Sequence, residues 1–201
     1  MNPGLLGAPH LPAFGRCGKT TTLLLALALH ASSAQTTPMN SPPQLAHVST
    51  TFRFQLAAPL ARVAPLFGPE GERCWAGKDW DPHFLYPQPA RDSQGAVFTV
   101  QHGPRTSFWV NTAFDLAAGR LQYVAVLPDA FLNVIDVRLN PIDATHTAVE
   151  VTYTRTALNP AANEDVTAMG TADRDKGPHW QTMIEACLSP QSGQAPAKNQ
   201  P

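Results

Sequence analysis

The stretch AVFTVQHGPRTSFWVNTAFDLAAGRLQYVAVLPDAFLNVIDVRLNPIDATHTAVEVTYTRT (residues 96–156) decides the architecture. It divides into five runs rich in Val, Thr, Phe, Tyr and Trp, at 96–102, 106–114, 121–127, 131–139 and 147–156. Between them stand His102-Gly103-Pro104, Ala117-Ala118-Gly119, Pro128-Asp129 and Asn140-Pro141, residue types that turn a chain. The gaps are far too short for the crossover helices of a parallel sheet, so the runs predict an antiparallel meander with hairpin connections.

Working outward toward the N-terminus, 84–86 predicts a further short strand. Val48, Thr50, Phe52, Phe54 and Leu56 alternate strictly with polar residues such as Arg53 and Gln55, the pattern of a half-buried strand. Residues 60–67 then support a short helix with Pro59 at its first position and Pro65 kinking or ending it. GPEGERCWAGKDWDP (68–82) reads as a loop or a second helical turn. Toward the C-terminus, Asn163 is placed to cap a short helix with Glu164 and Asp165 in its first turn. Gly177-Pro178 is expected to interrupt, and a last helix runs to about Leu188, with Trp180, Met183, Ile184, Cys187 and Leu188 forming an apolar stripe. Strand, short helices, meander and final helix together predict an α+β domain: an antiparallel sheet of about seven strands with helices on one side.

The flanks differ in character. Residues 1–34 read as an export signal. Arg16 and Lys19 supply positive charge with no acidic residue before Glu70, 23–29 is an apolar run, and Ala31-Ser32-Ser33-Ala34 offers small residues for cleavage after Ala34. The run falls well short of the ~20 apolar residues that span a bilayer. A disordered leader is the alternative. Residues 35–46 and 189–201 are rich in Pro, Ser, Thr and Gln without periodicity, a linker and a tail, which leaves 47–188 as the folded domain. Export would place the protein in a periplasmic or extracellular compartment and leave Cys74 and Cys187 as its cysteines. That even pair is a disulfide candidate in an oxidising compartment, the alternative being two buried thiols.

Composition excludes some functions. A net charge of -1, with 14% charged residues and no block of like charge, offers no basic face for nucleic acid. The histidines beyond the leader (His47, His83, His102, His146 and His179) and the cysteines lack the short spacings of a metal site, so neither metal nor cofactor is expected. There is no Gly-x-Ser-x-Gly elbow, and Gly68-x-x-Gly71 lacks the Lys-Ser/Thr of a phosphate loop. His83 and His102 are candidates for a general base or ligand contact, against an ordinary exposed role. Glu72 and Arg73 are expected to form a structural ion pair, Asp79 and Asp81 to make turn hydrogen bonds, and Arg105 to face water.

The order of elements, with an apolar C-terminal helix gripped by a curved sheet, resembles the SRPBCC superfamily of START-like, polyketide cyclase-like helix-grip proteins. More closely, FRFQLAAPLARVAPLFGPEGERCWAGKDWDP is similar to bacterial members that carry Glu-Arg-x-Trp and then Trp-Asp-Pro, here Glu72, Arg73, Trp75 and Trp80, Asp81, Pro82. Trp109 on its strand, VTYTRTAL at 151–158 and Trp180 on the final helix extend the likeness over nearly all of 47–188. Gly177-Pro178 departs from the long unbroken final helix of many members. The resemblance implies a cavity between sheet and final helix that takes a small hydrophobic molecule, a lipid, polyketide-like compound or aromatic. Candidate lining residues are Phe98, Trp109, Tyr123 and Trp180, with Trp80 and Phe84 near a mouth; the alternative for each is filled core. On 106–114, Phe108, Val110 and Phe114 share one face and Trp109 and Asn111 the other, and which face is concave stays open. Three functions follow: an exported carrier or sensor, a cyclase- or dehydratase-type enzyme using the same cavity, and a chaperone-activating domain, which the export signal disfavours.

Overall fold

The computed structural model describes residues 44–189; the expected export signal, linker residues 35–43 and tail residues 190–201 lie outside the described residues. Seven strands form one antiparallel sheet in the order β1-β7-β6-β5-β4-β3-β2. They are β1 (His47–Leu56), β2 (His83–Tyr86), β3 (Val97–His102), β4 (Arg105–Asp115), β5 (Arg120–Leu127), β6 (Phe131–Pro141) and β7 (Thr147–Ala157). The meander runs from β2 to β7 in sequence order, and β1 returns to pair along its whole length with β7. Between β1 and β2 lie α1 (Leu60–Val63), a 3-10 turn at Ala64–Phe67 and α2 (Pro69–Glu72). After β7 come a 3-10 turn at Pro160–Ala162, α3 (Asn163–Asp173) and α4 (Lys176–Leu188). Among the described residues no helix is long and apolar enough to cross a membrane.

Alternation sets the inner face. Phe52, Phe54 and Leu56 of β1, Val149, Val151 and Tyr153 of β7, Ile135, Val137 and Leu139 of β6, and Leu121 and Tyr123 of β5 are all buried and form one cluster with Phe67, Trp75 and Ile184. One bulge alters the count. Asn111 of β4 opposes Tyr123 and Ala113 opposes Gln122, leaving Thr112 as an extra residue. Ser107, Trp109 and Asn111 therefore face inward before the bulge. Phe114, two places beyond it, also packs on the core, whereas Phe108 is 47% exposed on the outer face. Phe114 thus parts from Phe108 and Val110, with which strict alternation groups it.

The helices sit where the chain allows close approach. The 3-10 turn begins directly after α1 and carries Pro65 in its first turn, so the proline tightens the helix without ending it. The break before the last helix falls at Arg174 and Asp175, not at Gly177-Pro178. Those two residues occupy the first turn of α4, where backbone N–H groups have no intrahelical acceptor to lose. A Cβ on Gly177 would come within 2.9 Å of the Arg53 carbonyl oxygen, so glycine lets α4 lie directly on β1. Asn163 is not the cap. Asn159 caps the preceding 3-10 turn, accepting from the Ala162 N–H at 3.1 Å, while Asn163 Oδ1 accepts from the Ala46 N–H at 2.7 Å and ties the entering chain to α3.

Candidate functional site

Between the inner face of the sheet and the segments α2 and α4 lies a cavity of about 180 Å³. The sheet supplies Trp109, Tyr123, Ile135, Val137 and Tyr153. Glu72, Trp75 and Ala76, at helical spacing on α2 and the turns that continue it, supply one side wall, with Trp80 beyond them. His179, Trp180 and Met183 of α4 close the cavity over the top. All four tryptophans of the chain reach it.

Three of the four turn their polar edges into the protein. Trp75 Nε1–H donates to the Leu66 carbonyl at 2.6 Å, Trp80 Nε1–H to the Pro69 carbonyl at 2.9 Å, and Trp109 Nε1–H to Ser107 Oγ at 2.7 Å. The Tyr123 hydroxyl donates to the Phe67 carbonyl. These four rings consequently offer the cavity their apolar surfaces. They also brace one another. Trp75 and Trp180 meet edge to face at 4.7 Å between centroids, and Trp80 and Trp109 do so at 5.4 Å.

One group breaks the apolar lining. Glu72 is half-buried and lines the cavity. Its backbone hydrogen-bonds within the local turns (N–H to the Gly68 carbonyl, 2.8 Å; carbonyl from the Trp75 N–H, 3.0 Å), while the side chain projects among the aromatics. Burial, and secondarily the Asp92 carboxylate, raise its pKa well above the ordinary glutamate value. Burial, and next the nearby Glu72, push the Tyr123 and Tyr153 hydroxyls upward as well. Arg73 does not compensate Glu72. It points the other way, to Glu70 at 3.1 Å and Asp81 at 2.6 Å, so the expected Glu72–Arg73 pair is replaced by a Glu70–Arg73–Asp81 set.

Of the six aromatic candidates, the structure brings Trp80, Trp109, Tyr123 and Trp180 together around the cavity. Phe84 and Phe98 do not reach it. They are buried in a separate cluster at the β2 edge of the sheet, Phe98 stacked on Trp109 at 5.7 Å and Phe84 on Phe98 at 5.6 Å. His83 and His102 are exposed and line no part of this cavity; His179, from α4, does. Arg105 is exposed. Among the described residues no group of three or more His, Cys, Asp or Glu side chains is placed to hold a metal ion. Cys74 and Cys187 are joined by a disulfide with their Cα atoms 6.1 Å apart, linking the chain just after α2 to the end of α4.

A curved seven-stranded antiparallel sheet closed over by a C-terminal helix, with a cavity between them, is a helix-grip fold of SRPBCC type. Solved structures with the same architecture have little sequence in common with this chain. A truncated norcoclaurine synthase from Thalictrum flavum superposes with a TM-score of 0.53 at 7% identity, over 74% of this chain and 97% of that one. A protein from Thermobifida fusca gives 0.52 at 17% identity over 70% and 95%. An uncharacterised protein from Rhizobium leguminosarum gives 0.51 at 17% over 72% and 96%. The sequence matches no protein-family profile and no curated protein.

Proposed function

We propose that this protein is an exported, periplasmic or secreted, carrier or sensor that binds one small hydrophobic molecule of about single-ring size in the cavity between the sheet and α4. The observation that carries this reading is the aromatic box itself, with three of its four indole N–H groups bonded internally so that ring surfaces are left for a guest. Its volume sets the size of that guest. A dry cavity of about 150 Å³ accommodates benzene, so about 180 Å³ suits a substituted ring and not a lipid chain or fused polyketide. Export draws support from the leader at 1–34 and from the disulfide, a bond that persists in oxidising compartments.

Glu72 favours a second reading, an enzyme of cyclase or dehydratase type. A carboxyl whose pKa burial raises well above the ordinary glutamate value, set in the wall of a pocket, is suited to give or take a proton at a bound substrate. Norcoclaurine synthase is an enzyme on the same fold.

Native mass spectrometry of the disulfide-bonded protein, isolated from the exporting cell without denaturant, tests both. Under the binding reading a reproducible adduct departs on denaturation, is absent from Val137→Phe, whose added ring fills the cavity, and has the same mass in Glu72→Gln. Under the enzyme reading the adduct of Glu72→Gln has a different mass, that of unconverted substrate. A bare wild-type mass, together with a Met183 methyl resonance that does not respond to single-ring aromatics, would overturn the binding reading.

A further inference from the structure

A second cavity, of about 340 Å³, opens at the other end of the same inner face, beside the β3–β4 and β5–β6 turns and against Met169 of α3. Trp109 and Tyr153 line both cavities and form the partition between them. Its apolar wall is Ala125, Leu127, Phe131 and Met169. Its polar groups are mostly accounted for within the protein. Ser107 Oγ takes the Trp109 N–H, contacts His102 Nε2 at 2.9 Å and donates to the Val100 carbonyl at 3.2 Å. The terminal nitrogens of Arg155 are held by Asp173, which also receives Lys176 Nζ at 2.7 Å, and the guanidinium lies 4.4 Å from the Tyr153 ring centroid.

Two buried atoms remain: Arg155 Nε and Asn133 Oδ1 have no hydrogen-bond partner in the protein. Their residues are only 6% and 5% exposed and face each other directly across the β6–β7 ladder, both in the wall of this cavity. A buried donor beside a buried acceptor, each unpaired, selects its partner by chemistry. A carboxylate could accept from Nε–H but would set a second acceptor against Oδ1. An ammonium could donate to Oδ1 but would face the guanidinium. A hydroxyl oxygen does both, accepting from Nε–H while its own O–H donates to Oδ1. We propose that this second cavity binds the hydroxyl group of a small phenol or alcohol between Asn133 and Arg155, with its apolar body against Trp109, Tyr153, Phe131 and Met169. The proposal stands independently of what fills the first cavity.

Two methionines make the test site-specific, because Met169 lines the second cavity and Met183 the first. The full protein, carrying ¹³C-methyl methionine, is titrated with 4-methylphenol, toluene and 4-methylbenzoate, and both methyl resonances are followed by NMR. The expected result is a Met169 shift that saturates with 4-methylphenol at an affinity at least about tenfold above either analogue. Asn133→Leu should abolish that preference. Ala125→Leu, at the position paired with Asn133 on the β5–β6 ladder, fills the cavity while replacing neither polar group and should abolish the Met169 response, and a Met183 resonance unchanged in both ligand-free variants shows that they are folded. Equal affinity for toluene, tighter binding of 4-methylbenzoate, or a Met169 methyl that does not move with 4-methylphenol would each overturn the proposal. A silent Met183 beside a responsive Met169 would count against the first-cavity reading and leave this one standing.

Discussion

Glu72 is a carboxyl that the fold holds at a cost. In the folded protein its pKa lies well above 4.5, while the unfolded chain returns it to the ordinary value, so between those two pH values the folded state binds more protons than the unfolded one. Stability conferred through this group therefore falls as pH rises from about 4.5 through the folded pKa. Glu72→Gln keeps the shape and removes the ionisation. The variant should match wild type near pH 4 and become progressively more stable than it toward neutral pH, as read by urea midpoints across that range. A constant offset at every pH would mean that Glu72 titrates alike in the folded and unfolded chain, so that burial does not raise its pKa. The position is also instructive about what a sequence reveals. Trp80, Trp109, Tyr123 and Trp180 announce themselves as large rings in periodic segments. Glu72 sits next to Arg73, and adjacency suggests a pair that the local turn prevents, since consecutive residues project in different directions. The informative signal was the spacing of Glu72 from Trp75 and Ala76, three and four residues on, which places all three on one wall.

Elements were legible wherever one periodicity ran unbroken. The alternation of β1, β5, β6 and β7 carries straight through to the buried face. It gives way on β4, where Thr112 adds a residue and the side-chain count reverses, so a run apolar on both faces could not show which one is concave. The helical end was obscured for a different reason. Gly177-Pro178 looks like an interruption, yet the first turn of a helix tolerates proline, and glycine there answers a contact with β1 that only the tertiary structure supplies. The same kind of contact anchors α3. A Cβ on Gly170 would lie 2.3 Å from Val48 Cγ1, and the Gly170 carbonyl accepts from the Thr50 hydroxyl at 2.9 Å. Gly170→Ala should thus destabilise the protein, by roughly 1–3 kcal/mol for overpacking, although alanine is the better helix former. Chemical denaturation measures this directly. A neutral or stabilising outcome would show that α3 slides on β1 with ease.

At the scale of the whole molecule, two kinds of closure coexist. The sheet is held by continuous ladders from β1 to β2, all antiparallel and mostly between sequence neighbours, and needs no cross-link. The roof of the first cavity has no such ladder. Its side wall comes from α2 and the turns that follow, and its top from α4, and the Cys74–Cys187 bond ties these two across a sequence separation of 113 residues. Closing a loop of that length restricts the unfolded chain by up to about 4–5 kcal/mol in the chain-entropy model. For a domain of this size that corresponds to a loss on the order of 10 °C in Tm when the bond is removed. The location adds a sharper expectation than the magnitude. Without the bond, α2 and α4 keep packing and a few side-chain hydrogen bonds, from Arg62 to the Leu188 carbonyl and from the Glu70 N–H to Asp92, but no ladder, so opening should concentrate there while the ladders stay shut. Cys74→Ala/Cys187→Ala should accordingly lower Tm and accelerate amide hydrogen exchange in α4 and in 69–76 far more than in β5, β6 and β7. It should also weaken occupancy of the first cavity more than that of the second, whose walls come from the sheet and α3. Uniform acceleration through sheet and helices alike would mean that the bond stabilises the fold as a whole and has no particular bearing on the cavity it spans.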